Sequence, residues 1–150
     1  EQEGVSDGLI ITGFVSQGEA WDYVRQASVC VSPFAPNPIL NSTSPTKLVE
    51  YLALGKAAVA NDHPDQRKVI EESSGGLCVG YDVSEFADAV SYLLRRPEEA
   101  REMGRRGRRY VVEHRDYQKL GAMIERKYYE VVGVGGCHAA NGGLGRAGQE

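Results

Sequence analysis

Residues 44–62 of the chain read SPTKLVEYLALGKAAVAND, and this stretch decides the fold class. Ser44 and Pro45 are typical of a helix start, with a hydroxyl at the N-cap followed by proline at the first helical position. Leu48 and Leu52 repeat at helical spacing, and Gly55 is of the residue type on which helices commonly end. The apolar run AAVA at 57–60 then predicts a buried strand. The stretch therefore predicts a helix that leads directly into a strand.

The same alternation continues on both sides of this stretch. Short apolar runs predict further strands at 9–12, 29–31 and 77–79. Five further helices are predicted: from a capping box at 16–19, from 64 to about 73, along the apolar stripe 86–94, from Pro97, and over 117–131. Wholly apolar strands that alternate with helices are typical of a parallel sheet with both faces covered. We therefore predict an α/β fold with a parallel sheet of about four strands and helices on both faces.

Composition excludes several functional classes. The 150 residues carry a net charge of −4, whereas a general nucleic-acid binder is normally basic, so no nucleic-acid partner is expected. No apolar run approaches the roughly 18 residues that cross a bilayer. None of the three cysteines forms a C-x-x-C pair, and the three histidines lack metal-ligand spacing, so we predict no metal. The sequence is that of a reduced, cytoplasmic protein.

Glycine and charge are both distributed unevenly. Seven of the 18 glycines lie in residues 133–150, which have no hydrophobic period, so we predict a folded part over 1–132 and a flexible Gly-rich tail over 133–150. Residues 95–115 contain eight Arg and four Glu, so the segment that includes the predicted helix from Pro97 carries a local charge of +4. Most helices of this kind present a solvated charged face. The alternative is a peripheral contact of this Arg-rich helix with anionic lipid or with a partner surface.

The start of the helix at residue 44 is the strongest candidate for a binding site. Ligands of parallel sheets bind in the loops beyond the carboxyl ends of the strands, and the longest polar loop of this chain ends here. A helix N-terminus presents free N–H groups and about half a positive charge, which suits a phosphate, and Lys47 lies one turn inside. Glu50 follows on the same face and could accept hydrogen bonds from a sugar diol. The structural alternative is ordinary capping by Ser44, with Lys47 and Glu50 as a surface pair.

The run from Ser44 to Asp62 also resembles a known signature. It is similar to the donor-binding half of retaining glycosyltransferases of family four, which have the two-domain, Rossmann-like GT-B fold. The segments GFV at 13–15, ASVCVSP at 27–33 and GLCV at 76–79 fit the same family in the same order. The resemblance implies transfer of a sugar from a UDP- or GDP-sugar to a glycan or lipid-linked acceptor, as in polysaccharide biosynthesis, with no cofactor.

The resemblance also implies roles for individual residues. Glu50 matches the second glutamate of the family's Glu-x7-Glu motif, which holds the donor ribose. The helix start at Ser44, Thr46 and Lys47 matches the segment that contacts the diphosphate. Val15 lies where the family packs a loop against the nucleotide base. Ser42 stands where the family often has its first glutamate, so the catalytic residue is unknown and the sugar contact falls to a serine.

The resemblance is partial in extent. Residues 1–132 match part of the C-terminal domain, while the N-terminal acceptor domain and the first donor-domain strand are expected to lie outside the chain. We therefore expect this chain alone to be inactive. The rival hypothesis is a non-catalytic, Rossmann-like module that binds a nucleotide or a partner, and a third is another GT-B-like enzyme such as a nucleotide-sugar epimerase.

Overall fold

The computed structural model describes residues 8–133, in two compact units that divide between Arg115 and Asp116. The first unit contains three strands: β1 (Cys30–Ser32), β2 (Ala58–Asn61) and β3 (Gly76–Val79). Its helices are α1 (Gln17–Gln26), α2 (Thr46–Ala53), α3 (Pro64–Ser73), α4 (Val83–Leu94) and α5 (Pro97–His114). A short 3-10 turn spans Leu40–Ser42. The second unit contains α6 (Tyr117–Val132).

The strands form one parallel sheet in the order β1-β2-β3. Helix α2 connects β1 to β2, and α3 connects β2 to β3, which gives two strand–helix–strand units. Val59 lies in register between Val31 and Leu77, so the strands end at one common edge of the sheet. The predicted α/β class and the parallel sheet are confirmed.

Strand β2 is buried on both faces, and its first three residues, 58–60, are small and apolar. Ala58 and Ala60 belong to a core with Leu48, Leu52, Val69, Ile70, Tyr110 and Val111, which α2, α3 and α5 contribute. Val59 belongs to a second core, with Ala57, Ala89, Leu93, Ala100 and Met103. Successive side chains of a strand point to opposite faces, so these two cores cover the two faces of the sheet. Helices on both faces are therefore confirmed.

Helix α5 packs closely against the end of α2. A Cβ atom placed on Gly104 would lie 2.0 Å from the carbonyl oxygen of Gly55, the residue with φ +74° that follows α2. Such an approach excludes any side chain at position 104 while the two helices keep their spacing. The buried face of α5 also includes Met103, Gly107 and Val111.

The sheet has three strands because the expected strand at 9–12 does not form. Ile10 and Ile11 are 79% and 84% exposed. A strand exists only where a neighbour accepts and donates its backbone hydrogen bonds, and none of the described strands lies beside these residues. The other three predicted strands and all six predicted helices are present, and α3 spans Pro64–Ser73 as predicted.

Helix α6 has a cap residue at each end. The Asp116 carboxylate accepts hydrogen bonds from the backbone N–H groups of Gln118 and Lys119, which caps the helix start. Gly133 ends the helix with φ +71°. The remainder of the predicted tail, from residue 134, lies outside the described residues.

Candidate functional site

A cavity of about 460 Å³ lies between α1, α2 and the segment that precedes α1. Its lining is Ile10, Thr12, Val15, Ala20, Trp21, Tyr23, Val24, Lys47, Glu50 and Tyr51, and we call it the α1–α2 cavity. A volume of this size is typical of small-molecule sites. The wall is mostly apolar and aromatic, with one cation and one carboxylate. This composition suits a ligand that combines a flat ring with polar groups.

Three of the sequence-predicted residues meet in the α1–α2 cavity. Lys47 and Glu50 come from α2, and Val15 comes from the segment before α1, over 30 positions away in the chain. Lys47 and Glu50 share one face of α2 because residues three apart in a helix lie above one another. In the part of the chain that the structure describes, no ion pair joins them, so the surface pair considered as an alternative does not form.

Two aromatic residues of the cavity were not predicted as site residues. Trp21 is half-buried on α1, and its helical spacing with Val24 by itself indicates only a packing role. Tyr51 lies one turn after Lys47 on α2 and is also half-buried. Burial raises the pKa of the Tyr51 hydroxyl, and the nearby Cys30 thiol and Glu50 carboxylate raise it further. The phenol is therefore neutral at neutral pH and can donate a hydrogen bond.

The predicted capping of α2 by Ser44 is wrong. The helix begins at Thr46 with Pro45 in the N-cap position, and no side chain caps its first turn. The Ser44 hydroxyl instead donates a 2.7 Å hydrogen bond to Asp65 of α3. Pro45 is buried, and the helix starts one residue later than predicted. The first-turn N–H groups of α2 are consequently left without the side-chain oxygen that capping would have supplied.

Ser42, Ser44 and Thr46 are not among the residues that line the α1–α2 cavity. All three are exposed, on the loop before α2 and at its first residue. The Ser42 hydroxyl donates to the carbonyl of Ile39 at 2.7 Å within the 3-10 turn. Thr46 lies beside the uncapped amides. The roles assigned to these three residues stay predictions.

The loop from β1 to α2 is fastened to the start of α3, which sequence reasoning did not predict. Asn61 exchanges two hydrogen bonds with the backbone of Phe34, at 2.6 and 2.9 Å. The Nε2 atom of His63 lies 2.8 Å from the carbonyl oxygen of Leu40. Gln66 is fully buried and accepts a 2.6 Å hydrogen bond from Ser32. The partners of these contacts are 23 to 34 positions apart in the chain, so no local pattern signals them.

Residues 8–133 offer neither a metal centre nor a membrane-spanning helix. Within residues 8–133, no cluster of three or more His, Cys, Asp or Glu side chains could hold a metal ion. The predicted lack of a metal and a cofactor stays a prediction. No helix in the same range combines the length and apolar character needed to cross a bilayer.

Comparison with known proteins bears on the family and the fold. A sequence model described as glycosyl transferases group 1 matches residues 1–96. A solved sucrose-phosphate synthase from Thermosynechococcus elongatus is similar at 22% identity with a TM-score of 0.76, over 86% of this chain and 31% of that one. The chain thus spans about a third of that enzyme's length, and at this identity the likeness shows a shared fold. No curated protein sequence matches the chain.

Proposed function

Because the chain belongs to the glycosyl transferases group 1 family, we propose that it binds the nucleotide-sugar donor of a glycosyltransferase in the α1–α2 cavity. The donor is a UDP- or GDP-sugar, and the intact enzyme transfers the sugar, with retention at the anomeric carbon, to a glycan or lipid-linked acceptor. The observation that carries the proposal is the convergence of Val15, Lys47 and Glu50 on one cavity, which also has an aromatic wall.

The cavity offers complementary groups for each part of a nucleoside. Val15 and Trp21 supply apolar and aromatic surface against which a base can stack. Glu50 supplies two carboxylate oxygens that accept hydrogen bonds from the 2′ and 3′ hydroxyls of a ribose. The neutral hydroxyl of Tyr51 adds a donor beside them. We assign the base to the α1 side of the cavity and the ribose to the α2 side.

The diphosphate belongs at the start of α2. Its first turn has no side-chain cap, so the N–H groups near Thr46 and Lys47 are available to phosphate oxygens. Lys47 adds a point charge from within the cavity. Negative charge grows on the diphosphate as the bond to the sugar breaks, and preorganised donors at that position stabilise the transition state. Ser42 can hydrogen-bond a sugar hydroxyl but holds no charge for a developing oxocarbenium ion.

A second candidate function rests on Ser42. A site without the first glutamate, whose serine hydroxyl already donates to Ile39, is also what a non-catalytic nucleotide-binding module would have. Both candidates bind a nucleotide in the α1–α2 cavity. They differ in turnover by the intact protein, since only the transferase releases free nucleoside diphosphate from a nucleotide-sugar in the presence of an acceptor.

Calorimetry with UDP and GDP tests the proposed site. Wild type should bind at least one of them, and Glu50→Ala should weaken that binding about 10- to 100-fold, since hydrogen bonds to a charged group are worth about 1.5–3 kcal/mol. Glu71→Ala is the matched control, because Glu71 is an exposed glutamate of α3 outside the cavity lining. Equal binding by wild type and Glu50→Ala would remove Glu50 from the site.

The exposed face of α5 extends the proposal to a membrane surface. Arg101 and Arg105 are paired with Glu98 and Glu102 on the same helix. Within the described residues, Arg108 and Arg109 form no ion pair, and both are exposed. Exposed arginines outside ion pairs attract anionic lipid headgroups. We assign a peripheral contact to this face, which would suit a lipid-linked acceptor.

A further inference from the structure

The start of α3 holds the loop that carries Ser42, and His63 makes the central contact. His63 is fully buried. Its ring meets the Phe34 ring at a centroid distance of 5.3 Å and an interplanar angle of 69°, and its Nε2 atom lies 2.8 Å from the Leu40 carbonyl oxygen. Two side chains flank this contact: Asn61 binds the backbone of Phe34, and Asp65 accepts from Ser44.

The chemistry of the contact assigns its proton. A carbonyl oxygen can only accept, so Nε2 must carry the hydrogen and His63 is the donor. Its other ring nitrogen, Nδ1, is buried and has no hydrogen-bond partner in residues 8–133. The polar role of His63 is therefore confined to one bond, toward Leu40.

The acceptor of that bond belongs to the 3-10 turn Leu40–Ser42. The Leu40 carbonyl also accepts from Thr43, from its N–H at 2.9 Å and from its hydroxyl at 2.7 Å. These local bonds close the turn without help from His63. The bond from His63 therefore fastens the turn to the start of α3, beside the bonds made by Asn61 and Asp65.

We propose that His63 is a positioning residue, which places Ser42 at the sugar end of the donor site by holding the Leu40 carbonyl. This inference rests on the proposed donor-binding function and adds a determinant outside the α1–α2 cavity. His63 acts through the turn and does not touch the nucleotide. Losing its bond should therefore weaken recognition of the sugar while leaving recognition of the nucleoside diphosphate intact.

Two substitutions of similar volume separate the bond from the packing. His63→Gln keeps an amide donor near the position of Nε2, whereas His63→Leu removes the donor. For each variant, calorimetry gives the affinity for UDP and GDP and for UDP-glucose and GDP-mannose. The sugar-dependent gain is the affinity for a nucleotide-sugar divided by the affinity for the corresponding nucleoside diphosphate. We expect this gain to fall about fivefold in His63→Leu, which is the effect of one neutral hydrogen bond, and to recover in His63→Gln. The affinity for the nucleoside diphosphate should be unchanged in both variants. An unchanged gain in His63→Leu would overturn the proposal.

Hydrogen exchange of the amides at 39–43 tests the same bond without any ligand. Exchange should be faster than wild type in His63→Leu and close to wild type in His63→Gln. Equal acceleration in both variants would overturn the proposal, because it would attribute the effect to the changed side-chain volume at position 63. If His63→Leu does not fold, His63→Asn replaces it, because its amide is too short to reach Leu40. If the wild-type protein binds none of the four compounds, the donor-binding function is refuted. The exchange result still decides whether His63 holds the turn.

Discussion

Substituting Gly104 by alanine should destabilise the protein at the contact that supports α2. The new Cβ would lie 2.0 Å from the carbonyl oxygen of Gly55 and 2.7 Å from its carbonyl carbon. Contacts of this kind normally exceed 3.0 Å, so α5 and the end of α2 must separate by about 1 Å. Overpacking of a buried contact costs about 1–3 kcal/mol, here near the upper limit because the obstacle is backbone.

The helix propensity of alanine acts in the opposite direction. Replacing an interior glycine by alanine favours the helix by about 1 kcal/mol. The expected net result is a loss of about 2 kcal/mol in the free energy of unfolding, a substantial share of the roughly 5–15 kcal/mol of a typical domain. The same rearrangement would displace the end of α2, the helix that carries Lys47 and Glu50. Nucleotide affinity should therefore fall together with stability.

Urea unfolding followed by circular dichroism measures the effect, and Gly121→Ala provides a matched control. Gly121 lies inside α6 and has no atom within 4 Å of the position of a Cβ. The same substitution should there raise helix stability by about 1 kcal/mol. Opposite signs at the two glycines are the prediction. A Gly104→Ala variant as stable as wild type would refute the close packing of α5 on Gly55.

Three further predictions concern other parts of the molecule. Hydrogen bonds from the Ser84 hydroxyl and from first-turn amides of α4 lower the pKa of the Asp82 carboxylate. Because the folded pKa lies below the unfolded one, the cap stabilises the fold at higher pH, and this stabilisation is lost as the pH falls through the folded pKa. Acid unfolding of wild type should therefore include a loss of stability that Asp82→Asn lacks. Burial raises the pKa of Cys30 to about 11. In a variant that lacks Cys137, a thiol reagent at neutral pH should therefore modify half-buried Cys78 well before Cys30, and faster labelling of Cys30 would contradict its burial. Replacing Arg108 and Arg109 by glutamate should abolish sedimentation with phosphatidylserine vesicles at low salt, and undiminished binding would exclude this face as the lipid contact.

The sequence predicted most of the fold because its signals are local. Pro64 at the first turn marks the start of α3, and the capping box of Ser16 and Glu19 forms as predicted, with both reciprocal hydrogen bonds. The strand at 9–12 failed because strand formation depends on a neighbour that composition alone does not reveal. The Ser44 cap failed for a similar reason, since Asp65, 21 positions later, binds the hydroxyl.

The candidate site could be predicted only in part. Lys47 and Glu50 lie on one helix, so their spacing placed them on a common face. The contributions of Trp21 and His63 depend on which helices and loops pack together. Trp21 could be assigned only a packing role from its own helix, and the bond from His63 to Leu40 joins residues 23 positions apart. Local patterns thus identify the residues proposed to bind phosphate and ribose, whereas long-range packing determines the proposed base surface and sugar end.

Nucleotide binding in the α1–α2 cavity can be followed directly, because the chain's one tryptophan, Trp21, lines that cavity. Trp21 fluorescence, excited at the red edge of its absorption band, should change saturably as UDP or GDP is added. The nucleotide concentration at the midpoint of this change should agree with the calorimetric Kd, and it should rise about 10- to 100-fold in Glu50→Ala. If calorimetry shows nucleotide binding while Trp21 emission does not change, the ligand binds outside the α1–α2 cavity, and the proposed donor site is wrong.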